Sequence, residues 1–86
     1  MNNKQRKTLN SIFSTPTRAD ISWNDIESLL ITLGTEVTEG AGSRIRCALN
    51  GEKAVFHRPH PERVTTKGTV EDVRRFLRNA GVKWTP

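Results

Sequence analysis

The 86 residues suffice for one compact domain with one modest core, and 34% hydrophobic with 27% charged side chains is a globular balance rather than a disordered one. A single cysteine, Cys47, rules out an internal disulfide and a Cys-rich zinc site, leaving a buried, inert thiol as the expectation. The longest apolar run, Leu29-Leu30-Ile31, is too short to cross a bilayer, and MNNKQRKTLNS lacks the apolar stretch of a secretion signal, so a cytoplasmic location is expected.

Residues 3–14 read as a short basic helix with Leu9, Ile12 and Phe13 on one face. Pro16 ends it and TPTRAD connects onward. Ser22-Trp23-Asn24-Asp25 looks like a capping box with Asp in place of Glu, and Ile26, Leu29, Leu30 and Leu33 continue as an i, i+3, i+4, i+7 stripe that Gly34 stops. Residues 35–39 predict a short strand with Val37 inward, broken by Gly40-Ala41-Gly42. Residues 43–49 alternate, with Ile45, Cys47 and Leu49 on one face and Arg44, Arg46 and Ala48 on the other.

Asn50-Gly51 is a two-residue hairpin signal of type I′, and residues 53–58 return. That turn sets a countable register: Leu49 faces Glu52, Cys47 faces Ala54 and Ile45 faces Phe56. On the opposite face Arg46 meets Val55 and Arg44 meets His57. Pro59 and Pro61 end the ladder, and residues 59–68 are read as a loop. A last helix is expected from Thr69-Val70-Glu71-Asp72, burying Val70, Val73, Leu77, Ala80 and Phe76 and turning Arg74, Arg75 and Arg78 to solvent, with Gly81 as its stop. The fold class is α+β: an α-β-β-β-α sandwich with helices on one face of a three-stranded antiparallel sheet, preceded by an extra helix. The boundaries are 1–20 for the extension, 21–82 for the domain and 83–86 for a frayed tail that includes Trp84.

Charge along the chain is uneven. Residues 21–42 hold Asp25, Glu27, Glu36 and Glu39 with no Lys or Arg, whereas residues 43–68 hold Arg44, Arg46, Lys53, Arg58, Arg63 and Lys67 against Glu52 and Glu62. The formal net charge of +5 thus suits a phosphate-bearing or acidic partner, or reflects ordinary solvated surface. The open sheet face would present Arg44, Arg46, Lys53 and His57. An imidazole there could take a proton from a ribose 2′-hydroxyl while arginines hold the phosphate; equally, His57 could cap the strand and the arginines keep the face soluble. His57-Arg58-Pro59-His60 has an H-x-x-H look, but no carboxylate or cysteine completes a metal set, so neither metal nor cofactor is expected. His60 is a second phosphate contact or a loop residue. No nucleophile elbow surrounds Ser43, and Gly40-Ala41-Gly42 precedes a strand, so it is not a phosphate loop. The Arg74/Arg75/Arg78 cluster could bind phosphate or an acidic protein, or be plain solvent surface.

From about Ser22 to Val82 the chain resembles the HicA family of toxins, small messenger-RNA interferases of double-stranded-RNA-binding-like fold. The resemblance rests on Gly42-Ser43, Val55-Phe56-His57-Arg58-Pro59-His60, Lys67-Gly68-Thr69 and Ala80-Gly81-Val82, in that order. It implies cleavage of messenger RNA independent of the ribosome, growth arrest, and neutralisation by a HicB-type antitoxin. Arg44 stands where the family's catalytic histidine normally follows the Gly–Ser pair, and residues 1–20 are extra. Because His57 is expected directly across from Arg44, it becomes the candidate general base, with Arg44, Arg46, Lys53, Arg58, His60 and Lys67 as candidate RNA contacts. Cleavage would then be metal-free and leave a 2′,3′-cyclic phosphate, and the antitoxin would cover the basic face with acidic residues. The rivals are a double-stranded-RNA-binding-like module that grips RNA without cutting it, and a protein-interaction adaptor.

Overall fold

A computed structural model describes residues 1–59 and 63–85. The apolar stripe of the second helical segment forms α2, Trp23–Thr32, and it buries Ile26, Leu29 and Leu30 completely. Full burial of such side chains contributes roughly 1.5–3 kcal/mol each, so this stripe organises the centre of the molecule. Gly34, at φ +95°, turns the chain out of α2 in a conformation a side chain would resist. The capping box expected at Ser22 is not formed: Ser22 is the N-cap, but its side chain makes no capping bond. The approach to α2 is instead held by backbone pairing, with Trp23 N–H donating to Arg63 O (2.9 Å) and Thr65 N–H to Ile21 O (2.8 Å) around a Ser22–Val64 bridge.

The sheet comprises β1, Glu36–Glu39, β2, Arg44–Leu49, and β3, Glu52–His57, in the order β1-β2-β3 and antiparallel throughout. Asn50 and Gly51 both have positive φ (51° and 83°), as a type I′ turn requires. All the sequence-derived pairs form: Leu49 with Glu52, Cys47 with Ala54, Ile45 with Phe56, Arg46 with Val55, and Arg44 with His57. Ile45, Cys47, Leu49 and Phe56 therefore face the helices, with Val37 packed beside them, while the other face stays open.

The third helix, α3, Lys67–Asn79, begins two residues before the expected start. Thr66 is its N-cap, accepting from Thr69 N–H (3.3 Å), so Lys67 and Gly68 belong to the first turn rather than to a loop. Val70, Val73, Phe76, Leu77 and Ala80 are buried as expected. The first helix, α1, Asn3–Ile12, starts with a capping box between Asn2 and Gln5, and it seats Leu9, Ile12 and Phe13 in the same core. It packs against α2 and α3.

Two expectations about this helical side are corrected. Arg74 is not a solvent arginine: its guanidinium donates to Ile12 O (2.8 Å), Ser14 O (3.3 Å) and Thr17 Oγ1 (3.1 Å), which satisfies carbonyls left free where α1 ends. Trp84 is not frayed either. It stacks on Phe13 with ring centroids 5.3 Å apart, and its Nε1–H donates to Asn10 Oδ1 at 2.7 Å. Arg78 lies 5.6 Å from the centre of the same Phe13 ring.

Candidate nucleic-acid interface

The open sheet face is built from the residues that the hairpin register turns away from the core. Arg44, Arg46, Lys53, Val55 and His57 are all exposed on it. Val55, at 55% exposure, is one of the few large apolar side chains left in solvent. Among the described residues no carboxylate forms an ion pair with Arg44, Arg46 or Lys53.

His57 ends β3 directly opposite Arg44, and Arg44 Nε–H donates to His57 Nε2 at 3.3 Å. For Arg44 to donate there, Nε2 must offer its lone pair, the tautomer that carries its proton on Nδ1. The contact also orients the ring across the face beside a guanidinium whose terminal nitrogens make no intramolecular bond among the described residues. An imidazole and a guanidinium thus stand side by side at one end of the hairpin.

Arg58 is adjacent in sequence but is used differently. Its Nε and Nη2 donate to the two oxygens of Glu27 (3.0 Å each) and its Nη1 to both oxygens of Glu39 (2.7 Å). A guanidinium held by two carboxylates acts as a clamp within the fold, a different setting from the RNA contact expected at Arg58. Trp23 Nε1–H also donates to Glu27 Oε1 (2.9 Å), and the Trp23 ring packs near Phe56 at 6.0 Å. The Arg58 hydrogen bond, followed by that from Trp23, holds the Glu27 carboxyl below the usual range despite the opposing effect of burial. Phe56 and Arg58 are therefore both anchored on the helical side, and His57 is held between them on the open side. Arg58 N–H also donates to Ser43 O (2.9 Å), closing the end of the ladder beside Arg44.

Lys67 opens α3 and is exposed, with no hydrogen bond or ion pair to the sheet face among the described residues. The reading of His60 lies outside the described residues. The Cys47 thiol is buried on the core face, and burial, reinforced by Glu27, pushes its pKa up to about 11, which makes it a poor nucleophile. No group of three or more His, Cys, Asp or Glu side chains arranged to hold a metal occurs among the described residues.

Beside the Arg44–His57 pair the face dips into a shallow depression of about 670 Å³. Its outer wall is formed by Glu36 and Thr38 of β1, which sequence reasoning had left unassigned. The alternation of residues 35–39 with Val37 inward was the signal that could have placed them on this face. Glu27 and Glu39, the partners of Arg58, were also missed, because nothing local marks a pairing between residues so far apart in sequence.

No helix among the described residues is long and apolar enough to cross a membrane. No curated protein and no solved structure matches the chain. A family model does match: HicA toxin of bacterial toxin–antitoxin, over residues 23–82, the stretch from α2 through the end of α3. The α-β-β-β-α arrangement with an open sheet face is the fold expected of that family, and the chain belongs to it: it is a HicA toxin, one half of a bacterial toxin–antitoxin pair.

Proposed function

We propose that this toxin is an endoribonuclease that cleaves messenger RNA without a metal ion, arresting growth, with His57 as general base. The observation that carries the reading is the Arg44 Nε–His57 Nε2 contact on a face that also carries Arg46 and Lys53. In the proposed step Nε2 takes the proton of a ribose 2′-hydroxyl and the freed oxygen attacks the adjacent phosphorus. The bond to the 5′-oxygen breaks, that oxygen takes a proton from water, and a 2′,3′-cyclic phosphate remains. Arg44 and Arg46 stabilise the charge on the phosphate oxygens, and Lys53 extends the cationic track. The 3.3 Å bond is long for a charge-assisted contact, so incoming phosphate can draw Arg44 away and free the lone pair. A HicB-type antitoxin would neutralise the toxin by laying acidic residues over this face.

His57→Ala should lower RNA cleavage by about 10²–10⁴-fold without unfolding the protein, and chelator should leave wild-type cleavage unchanged. Undiminished cleavage in the variant would remove His57 from the mechanism, and strong chelator inhibition would return metal chemistry to consideration. The same hydrogen bond favours a second reading, a module that binds RNA without cutting it, because it engages the lone pair that catalysis needs. RNA shifted in mobility by the purified protein but not shortened over time would select that reading.

A further inference from the structure

Among the described residues Glu36 is the one carboxylate that the strand register puts on the open face with Arg44, Arg46 and Lys53, and its position is informative. Three cross-strand rows run over the open face: Glu36–Ala48–Lys53, then Thr38–Arg46–Val55, then Arg44–His57. Successive rows lie about 7 Å apart, because side chains on one face recur every second residue. The first two rows line the depression, to which they bring the apolar side chains of Ala48 and Val55 and the polar ones of Lys53, Arg46, Glu36 and Thr38. Glu36 is exposed and makes no ion pair among the described residues, so charge balancing within the fold does not account for it.

We infer that this depression is a base-reading subsite, in which Glu36 accepts a hydrogen bond from the exocyclic amine of a nucleobase next to the phosphate held by Arg44 and His57. The inference rests on the open face being the RNA site. The apolar side chains of Ala48 and Val55 offer a surface for the face of an unstacked base, and the guanidinium of Arg46 can stack on it or hold the flanking phosphate. Lys53 meets the backbone on the far side. The carboxylate has only acceptors to offer, so it favours the N4 amine of cytosine and repels the O4 carbonyl that uracil presents in the same place. The Thr38 hydroxyl can donate or accept and does not discriminate. The subsite therefore selects single-stranded RNA with an amino-bearing base, cytosine over uracil.

The test uses two 2′-O-methyl octanucleotides, all cytosine and all uracil, which carry equal charge and cannot be cut. Wild-type protein should bind the cytosine strand about fivefold more tightly, the lower end of what a base-edge contact contributes. Glu36→Gln should bring that ratio close to one by gaining affinity for uracil, since an amide can donate to O4 as well as accept from N4. A ratio near one in the wild type, an unchanged ratio in Glu36→Gln, or no binding of either strand overturns the subsite. The cleavage reading fails separately, if unmodified RNA stays intact while the cytosine preference persists.

Discussion

On the sheet face Arg44 and Arg46 stand in solvent with no carboxylate paired to them among the described residues, whereas Arg58 and Arg74 are each held by three or more hydrogen bonds to the fold. The side chains are chemically identical, and Arg46 and Arg58 lie only one hairpin apart in the chain. What separates them is where the backbone points them. Arg44 and Arg46 alternate outward from β2; Arg58 leaves the end of β3 on the opposite side, toward Glu27 and Glu39; Arg74 points from α3 to the frayed carbonyls of α1. Net charge thus overstates the cation available to a partner, and the effective basic surface is narrower than composition implies.

Removing arginines from each set is the way to break this contrast. The largest loss is expected for Arg58→Ala, about 2 kcal/mol in denaturant unfolding, because Glu27 and Glu39 lose a charged donor and Glu27 is left half-buried without it. This loss depends on pH with a definite sign. Glu27 is held below its ordinary value of 4.5, so its contribution is complete above that value and fades as pH falls through the depressed one. Wild type and Arg58→Ala should therefore converge in stability under acid, and a gap that widens toward low pH would contradict the clamp. Cleavage by Arg58→Ala should fall too, through the slackened position of His57, while Arg58→Lys restores part of it.

Arg74→Ala should cost less, about 1–1.5 kcal/mol, since water can reach the carbonyls it abandons. Native-state hydrogen exchange should show the loss centred on α1. Arg46→Gln is the smallest in stability, within about 0.5 kcal/mol of wild type. Its effect belongs to binding: weaker RNA affinity at every sequence, and a salt dependence reduced by about one counterion. An Arg46 variant as destabilised as Arg74→Ala would erase the distinction between the two sets.

Much of the sheet was legible because its information is local. Asn50-Gly51 permits one tight turn, and alternation carries the register from there to Arg44 opposite His57. The stripe of α2 was legible for the same reason. What escaped were contacts between side chains remote in sequence: Arg58 with Glu27, Arg74 with Ile12, and Trp84 with Phe13. The expected start of α3 at Thr69 lies two residues late because Thr66, whose side chain accepts from Thr69 N–H, is the threonine that caps the helix. At Ser22 the local cap signal was overridden by pairing with the segment at Val64, which fixes the entry to α2 by other means. In the candidate site, the position of His57 followed from register, whereas its anchoring by the neighbouring arginine did not.

The stacking of Trp84 on Phe13 has a practical consequence for where this protein can be cut. Phe13 lies before the stretch matched by the family model and Trp84 after it, yet each covers the other. A chain trimmed to residues 23–82 would lose Leu9, Ile12 and Phe13 and leave the outer sides of α2 and α3 bare and apolar. The evolutionary unit and the folding unit are thus different lengths of polypeptide, and the two ends of this one are fastened together like a belt around the helices.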